Sequence, residues 1–188
     1  MKITDLSKSY DGRPVLSHIT LTFEDSGIYA LMGTSGRGKT TLLHILMGLT
    51  KADKGSVSGL ENKRFSAVFQ ENRLCDFLTA AENIMAVQKK PASVSDINAI
   101  LAEILPVEAL NQPVEEYSGG MKRRVAIARA LLAPSDILVM DEPLTGLDEK
   151  TKAQVISFIL RYRNGRTLLF TTHQEEDVQQ FSGEKVLL

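Results

Sequence analysis

Cysteine is nearly absent from this sequence, with Cys75 standing alone. No disulfide can close within the chain, which fits a reducing compartment. Neither sign of charge predominates. Lysine and arginine total 22 against 23 aspartates and glutamates, which argues against a large nucleic-acid footprint, so no nucleic acid is expected among the partners. No apolar run approaches the roughly 18 residues that suggest a membrane span. Met1-Lys2-Ile3-Thr4-Asp5 lacks the apolar stretch of a signal peptide. If the protein serves a membrane process, another chain is expected to do the spanning. Internal repeats and low-complexity tracts are missing as well. What remains is 188 residues, a length that suits one domain with a real core.

Within that length one stretch carries a recognisable chemistry. Gly33-Thr34-Ser35-Gly36-Arg37-Gly38-Lys39-Thr40-Thr41 reads G-x-x-x-x-G-K-T, a phosphate-binding loop pattern. The apolar run Ile28 to Met32 before it suits a buried strand. Thr41 to Met47 after it suits a helix, with Gly48 as its stop. Glycines let successive N–H groups curl around an anion, and the helix start adds unpaired donors and partial positive charge. Lys39 then supplies a full charge to the outer phosphates, and the Thr40 hydroxyl is placed for Mg²⁺.

The rest of the chain alternates strand and helix signals. Lys2 to Tyr10 and Val15 to Phe23 read as strands joined by the turn Asp11 to Pro14. Ile19, Leu21 and Phe23 alternate with Thr20 and Thr22, as a half-buried strand requires. Tyr10, on spacing alone, is an ordinary strand aromatic. Leu49 to Gly59 is rich in turn residues. Ser66 to Phe69 is a short strand, and Gln70 at its end reads as a turn residue or as a ligand. Thr79-Ala80-Ala81-Glu82 is a capping box that opens a helix through Val87, stopped at Lys90-Pro91-Ala92. Ser93 opens a second helix running to Leu105. Tyr117-Ser118-Gly119-Gly120 precedes a helix from Met121 to Ala133, on which Met121, Val125, Ala128 and Leu132 share one face while Lys122, Arg123, Arg124 and Arg129 offer charge elsewhere. The stretch before the helix reads either as a flexible linker with a cap or as a second glycine-rich anion site.

Ile137 to Met140 is a continuous apolar run, hence a strand buried on both faces. Asp141 and Glu142 follow at its carboxyl end, where adjacent acids are costly unless they meet a cation or donors. Ligands of open parallel sheets bind at such ends. Asp141 therefore reads as a Mg²⁺ partner and Glu142 as a water-polarising base, with a solvated acidic turn as the plainer alternative. A helix from Glu149 to Tyr162, a strand from Thr167 to Thr171, a short helix from Gln174 to Gln180 and a strand at Lys185 to Leu188 complete the chain. His173 stands at a strand end like Asp141 and is read as structural or as part of the site.

Taken together these residues resemble the nucleotide-binding subunit of an ATP-binding cassette (ABC) transporter. Gly33 to Thr40 resembles the Walker A loop, and Ile137 to Asp141 the Walker B strand. Tyr117-Ser118-Gly119-Gly120-Met121 resembles the family signature, usually L-S-G-G-Q, with Tyr117 and Met121 as departures. The fold this implies is α/β: a P-loop NTPase with a RecA-like parallel-sheet core, a small antiparallel β subdomain and an inserted α-helical subdomain. Residues 1–73 and 134–188 would form the core with the β subdomain, and residues 74–133 the helical part with the signature.

The same resemblance implies roles that spacing cannot give. Tyr10 would stack on adenine. Gln70 would reach Mg²⁺ and the attacking water, Glu142 would be the catalytic glutamate, and His173 would meet the γ-phosphate. Asp148 resembles the end of the D-loop. Ser118, Gly119 and Gly120 would clamp ATP held by an opposite subunit in a head-to-tail dimer. The implied cofactors are ATP and Mg²⁺. The implied partners are a second cassette, a separate transmembrane permease and, for an importer, an extracytoplasmic substrate-binding protein, with the chain peripheral on the cytoplasmic side of the membrane. Val68 to Leu74 and Leu78 to Ile84 look most like importers of the nitrate, sulfonate and taurine type. A soluble ABC ATPase working without a permease, in repair, translation or cofactor assembly, is the alternative.

Overall fold

Two sheets of different character share the chain, as seen in a computed structural model that describes residues 1–34, 36–90 and 92–188. Ser35 and Pro91 lie outside the described residues. The strands β1 (Lys2–Tyr10) and β2 (Arg13–Thr22) form an antiparallel hairpin. The turn between them is shorter than the sequence suggests, because Arg13 and Pro14 already pair with Tyr10 and Ser9. After β3 (Ile28–Met32) and α1 (Lys39–Leu46), the segment expected to be turns instead forms β4 (Lys54–Ser58), which pairs with β1. The three-stranded sheet has the order β2-β1-β4.

The second sheet uses β5 (Phe65–Val68), β6 (Ile137–Met140), β7 (Thr167–Thr171), β3 and β8 (Glu184–Leu187), in the order β5-β6-β7-β3-β8 with every pairing parallel. Its central strands are buried on both faces, which explains their continuous apolar runs. Successive side chains point to opposite sides. Ala30, Leu138, Met140, Leu168 and Phe170 join one apolar cluster with the helices α4 (Gly119–Leu132) and α5 (Glu149–Tyr162). Tyr29, Leu31, Ile137, Val139 and Leu169 join the other, with α1 and the three-stranded sheet.

Between β5 and β6 the regular elements among the described residues are helical: α2 (Ala80–Met85), α3 (Val94–Leu101), two short 3₁₀ turns and α4. The capping box at the start of α2 is present, with Thr79 and Glu82 bonding each other's main-chain N–H. α3 stops at Leu101, short of the expected Leu105, although Ile104 and Leu105 stay buried. α4 starts two residues earlier than expected, capped by Ser118 Oγ, which accepts from the Met121 N–H at 3.2 Å. Only part of α4 faces water. Arg123, expected to offer charge at the surface, is buried with Val125, Ala126 and Ile127. Arg166 ties the carboxyl ends of two helices together, donating to the carbonyls of Leu131 and Tyr162, both at 2.7 Å. Cations suit helix C-termini because the last carbonyls there lack partners.

Parallel register sets the position of everything that follows. Val68 pairs with Met140, Met140 with Phe170, and Leu31 with Thr171. The residues leaving these strands, Phe69-Gln70, Asp141-Glu142, Thr172-His173 and Gly33-Thr34, therefore emerge along one edge of the sheet. No helix among the described residues is long and apolar enough to cross a membrane.

Candidate functional site

The loop after β3 turns through left-handed backbone at Gly36 and Gly38. Gly38 shows why glycine is needed. Its φ is +83°, and a Cβ there would lie 2.6 Å from Leu16 Cδ2 and 2.9 Å from the Val15 carbonyl. Lys39 opens α1 yet is buried, and its ammonium donates to the carbonyls of Gly33 at 2.8 Å and Thr34 at 3.3 Å. The ammonium thus ties the start of the helix back to the two carbonyls that open the loop.

One hydrogen bond connects this loop to the acidic strand end. Thr40 Oγ1 donates to Asp141 Oδ2 at 2.7 Å, across 101 residues of sequence. The other carboxylate oxygen, Asp141 Oδ1, accepts from Thr171 Oγ1 at 2.6 Å. Thr171 in turn accepts from the Glu142 N–H at 2.7 Å. Three elements are therefore joined at one carboxylate that is itself 7% exposed.

Glu142 sits in left-handed backbone with φ +48°. For a residue with a Cβ that conformation costs about 1–3 kcal/mol, and it persists where the surroundings over-determine it. The surroundings here are the Thr171 hydroxyl and the Arg123 guanidinium, which donates to the Glu142 carbonyl at 2.7 Å. The side chain reaches outward. His173 Nε2 lies 3.1 Å from Glu142 Oε1, and Thr145 Oγ1 donates to Oε2 at 3.2 Å. Glu142 also borders a cleft of about 300 Å³ with Gln70, Gly119, Gly120 and Arg123. On its other side lies a cavity of about 360 Å³, bordered also by His173, Leu147 and Lys152.

The structure thus gathers Lys39, Thr40, Asp141, Glu142 and His173, and sets Gln70, Gly119 and Gly120 on the same cleft. Ser118 is occupied as the cap of α4. Asp148 caps α5, accepting from the Thr151 N–H at 3.0 Å and hydroxyl at 2.6 Å, and these bonds hold its carboxyl below the usual range. Tyr10 stands at the end of β1, 45% exposed, with the Lys8 ammonium 5.2 Å from its ring centre. Thr34, Arg37 and Thr41 lie on the loop and the first turn of α1, where the Arg37 N–H donates to the Thr34 carbonyl at 3.2 Å. Ser35 is outside the described residues.

Two contributors escaped the sequence reading. Thr171 reads as an ordinary strand threonine, and nothing local marks its two partners. Arg123 reads as one of several surface cations on α4. A basic residue amid Val125, Ala126 and Ile127 was the available signal.

The donor set suits Mg²⁺. A threonine hydroxyl and one aspartate carboxylate are hard oxygen ligands, and Mg²⁺ keeps several waters while sharing substrate phosphates. Among the described residues no group of three or more His, Cys, Asp or Glu could hold a metal ion.

A glycine-rich loop with a buried lysine, hydrogen-bonded through its threonine to an acidic strand end in a parallel sheet, defines a P-loop nucleotide-binding domain. The family model described as ABC transporter matches residues 16–145. The chain belongs to the ABC transporter family, as its ATP-binding cassette. It is 32% identical over 202 residues to the spermidine/putrescine import ATP-binding protein PotA of Salmonella typhimurium, covering 99% of this chain and 53% of that protein. The protein of the same name from Hahella chejuensis is 31% identical, with 100% and 56% covered. The chain spans about half the length of these curated relatives. Among solved structures, an ABC transporter ATP-binding protein from Pyrococcus furiosus superposes with a TM-score of 0.85 at 26% identity, covering 100% of this chain and 96% of that one. A dimeric ATP-binding cassette in a post-hydrolysis state bound to ADP and Pi gives 0.82 at 25% identity, covering 100% and 93%.

Proposed function

We propose that this chain is the ATP-hydrolysing subunit of an importer, working as a pair of cassettes on the cytoplasmic face of a separate membrane permease. The observation that carries the reading is the Thr40–Asp141 hydrogen bond, which ties the phosphate loop to the strand end that Glu142 follows. Residues 1–73 and 134–188 form the core with the β subdomain in this reading, and residues 74–133 the helical part.

The loop amides and Lys39 hold the phosphate tail of ATP. Thr40 and Asp141 would hold Mg²⁺, with Gln70 reaching toward it, and the ion would supply positive charge against the charge that develops on the phosphates. In this reading Glu142 accepts the proton of the attacking water, and His173, whose Nε2 lies 3.1 Å from Glu142 Oε1, meets the γ-phosphate. Ser118, Gly119 and Gly120 close over ATP held by the other cassette, next to the turn that ends at Asp148, and Tyr10 offers its exposed ring to adenine. Closure and reopening of the pair drives the permease.

The cargo is a small charged solute in this reading. The curated relatives bear a spermidine/putrescine name, whereas Val68 to Leu74 and Leu78 to Ile84 resemble the nitrate, sulfonate and taurine type. The importer character common to both, with an extracytoplasmic binding protein to deliver the solute, is the part we adopt. Glu142→Gln tests the core of it. ATP binding is retained, turnover falls by roughly 100-fold or more as expected for loss of a general base, and an ATP-bound dimer accumulates on size exclusion. Turnover at the wild-type rate would remove Glu142 from the mechanism. Recovery of a permease by affinity capture from membranes tests the partner.

A further inference from the structure

Arg123 lies on α4, the helix that begins at the Ser118-Gly119-Gly120 signature, and is only 5% exposed. Its guanidinium spans the gap between two loops of the site. On one side Nη1 donates to the carbonyl of Phe69, to that of Gln70 at 3.5 Å and to Asn72 Oδ1 at 3.3 Å. On the other side Nη2 donates to the carbonyls of Asp141 and, at 2.7 Å, of Glu142, while Nε donates to the Pro143 carbonyl at 3.2 Å. Arg129, further along the same helix, grips the next stretch of the first loop, donating to the carbonyls of Asn72 at 3.0 Å and Arg73 at 2.7 Å.

The acceptors on the Glu142 side are the carbonyl before Glu142, its own and the one after it. Fixing those oxygens fixes the peptide planes on both sides of a residue held at φ +48°, and hence the direction of its side chain. A planar fork of five donors can do this, whereas a point charge on a flexible stem cannot. Burial draws the Arg123 pKa down from its ordinary value, and the charges of Asp141 and Glu142 pull it back up. The group stays a cation at any working pH.

We propose that Arg123 is a positioning residue for hydrolysis, holding Glu142 at its working angle and tying it to the loop of Gln70 and to the signature helix. It acts through Glu142, so it rests on the assignment of Glu142 as the base. Because Arg123 stands on the helix that opens with the signature, a shift of that helix reaches the carboxylate through one side chain.

The test is a double-mutant cycle on the purified full chain, reading kcat, KM for ATP and Tm. Arg123→Gln keeps a polar side chain that reaches only one loop, and Arg123→Lys keeps the charge without the fork. Arg123→Gln is expected to lower kcat roughly 10- to 100-fold, the scale of a misplacement of about 1 Å. KM should stay within about twofold, since binding in the ground state is untouched. Arg123→Lys should be no better than partly active. In the Glu142→Gln background, Arg123→Gln should lower Tm as before but cost no further kcat, because residues acting as a unit are non-additive. An equal loss of kcat in both backgrounds overturns the proposal, as does a lowered Tm with unchanged kcat, or a change confined to KM. Glu142→Gln with full turnover overturns the base assignment instead, whereas an inactive Glu142→Gln beside a fully active Arg123→Gln overturns only the role of Arg123.

Discussion

Replacing Thr171 by Val keeps the shape of a fully buried side chain and deletes one hydroxyl. That hydroxyl has two engagements, donating to Asp141 Oδ1 at 2.6 Å and accepting from the Glu142 N–H at 2.7 Å. A hydrogen bond to a charged group contributes about 1.5–3 kcal/mol, and a buried N–H left without a partner costs about 1–3 kcal/mol. Asp141 Oδ2 keeps its bond from Thr40, which limits the loss. Together the change should cost about 3–5 kcal/mol, a large share of the roughly 5–15 kcal/mol by which such domains are stable. For a chain of this size each kcal/mol moves Tm by about 2–4 °C, so a fall of about 10 °C is expected. Thr171→Ser is the control. It keeps the hydroxyl and gives up one methyl group, which costs about 1 kcal/mol. Urea unfolding monitored by circular dichroism, with calorimetry for Tm, separates the two variants. If Thr171→Val is no less stable than Thr171→Ser, the hydroxyl does not join the two strand ends, and the account of Asp141 and Glu142 as a braced pair fails.

Other expectations follow from the same geometry. Gly38→Ala places a Cβ in left-handed backbone 2.9 Å from the Val15 carbonyl. It should lose about 1–3 kcal/mol of stability and bind ATP more weakly, checked by denaturation and nucleotide titration. Acid should weaken the fold through carboxylates held below their ordinary values: Asp148 by the Thr151 hydroxyl, Glu82 by the Thr79 N–H, Asp136 by the Arg64 N–H and Asp53 by the Lys8 ammonium. A pKa lowered in the folded state stabilises fully above the unfolded value and is lost as pH falls through the folded one, so the decline belongs below about pH 4. Asp148→Asn retains a helix cap but cannot titrate. It should flatten that acid limb in a series of Tm measurements against pH, and an unchanged limb would exclude Asp148 from it.

Legibility from sequence followed burial. The run Ile137–Met140 announced a strand buried on both faces and Thr167–Thr171 announced a strand, and in the fold both are covered on each side. The glycine loop and Asp141 were visible from residue type and spacing. Lys54–Ser58 was not, since an edge strand of Lys, Gly, Ser and a single half-buried Val carries no apolar alternation, and its identity comes from pairing with β1. Helix α3 was overextended because Ile104 and Leu105 continue the apolar spacing while the chain has already begun to turn. Arg123 was misplaced for a different reason. Sequence reading assigns a cation to water, and only tertiary structure supplies enough carbonyl oxygens to receive it inside.

The guanidinium groups of Arg123, Arg124, Arg129 and Arg166 donate mainly to main-chain oxygens rather than to carboxylates. Such contacts join a charge to a dipole at contact range, away from mobile counterions, so dissolved electrolyte screens them little. Exposed pairs such as Arg64 with Asp136 lie open to that screening. Raising ionic strength therefore loosens the periphery and the grip on an anionic nucleotide well before it reaches the braces behind Glu142. Buffers of widely different ionic strength will change how often the protein is loaded more than how fast a loaded protein reacts.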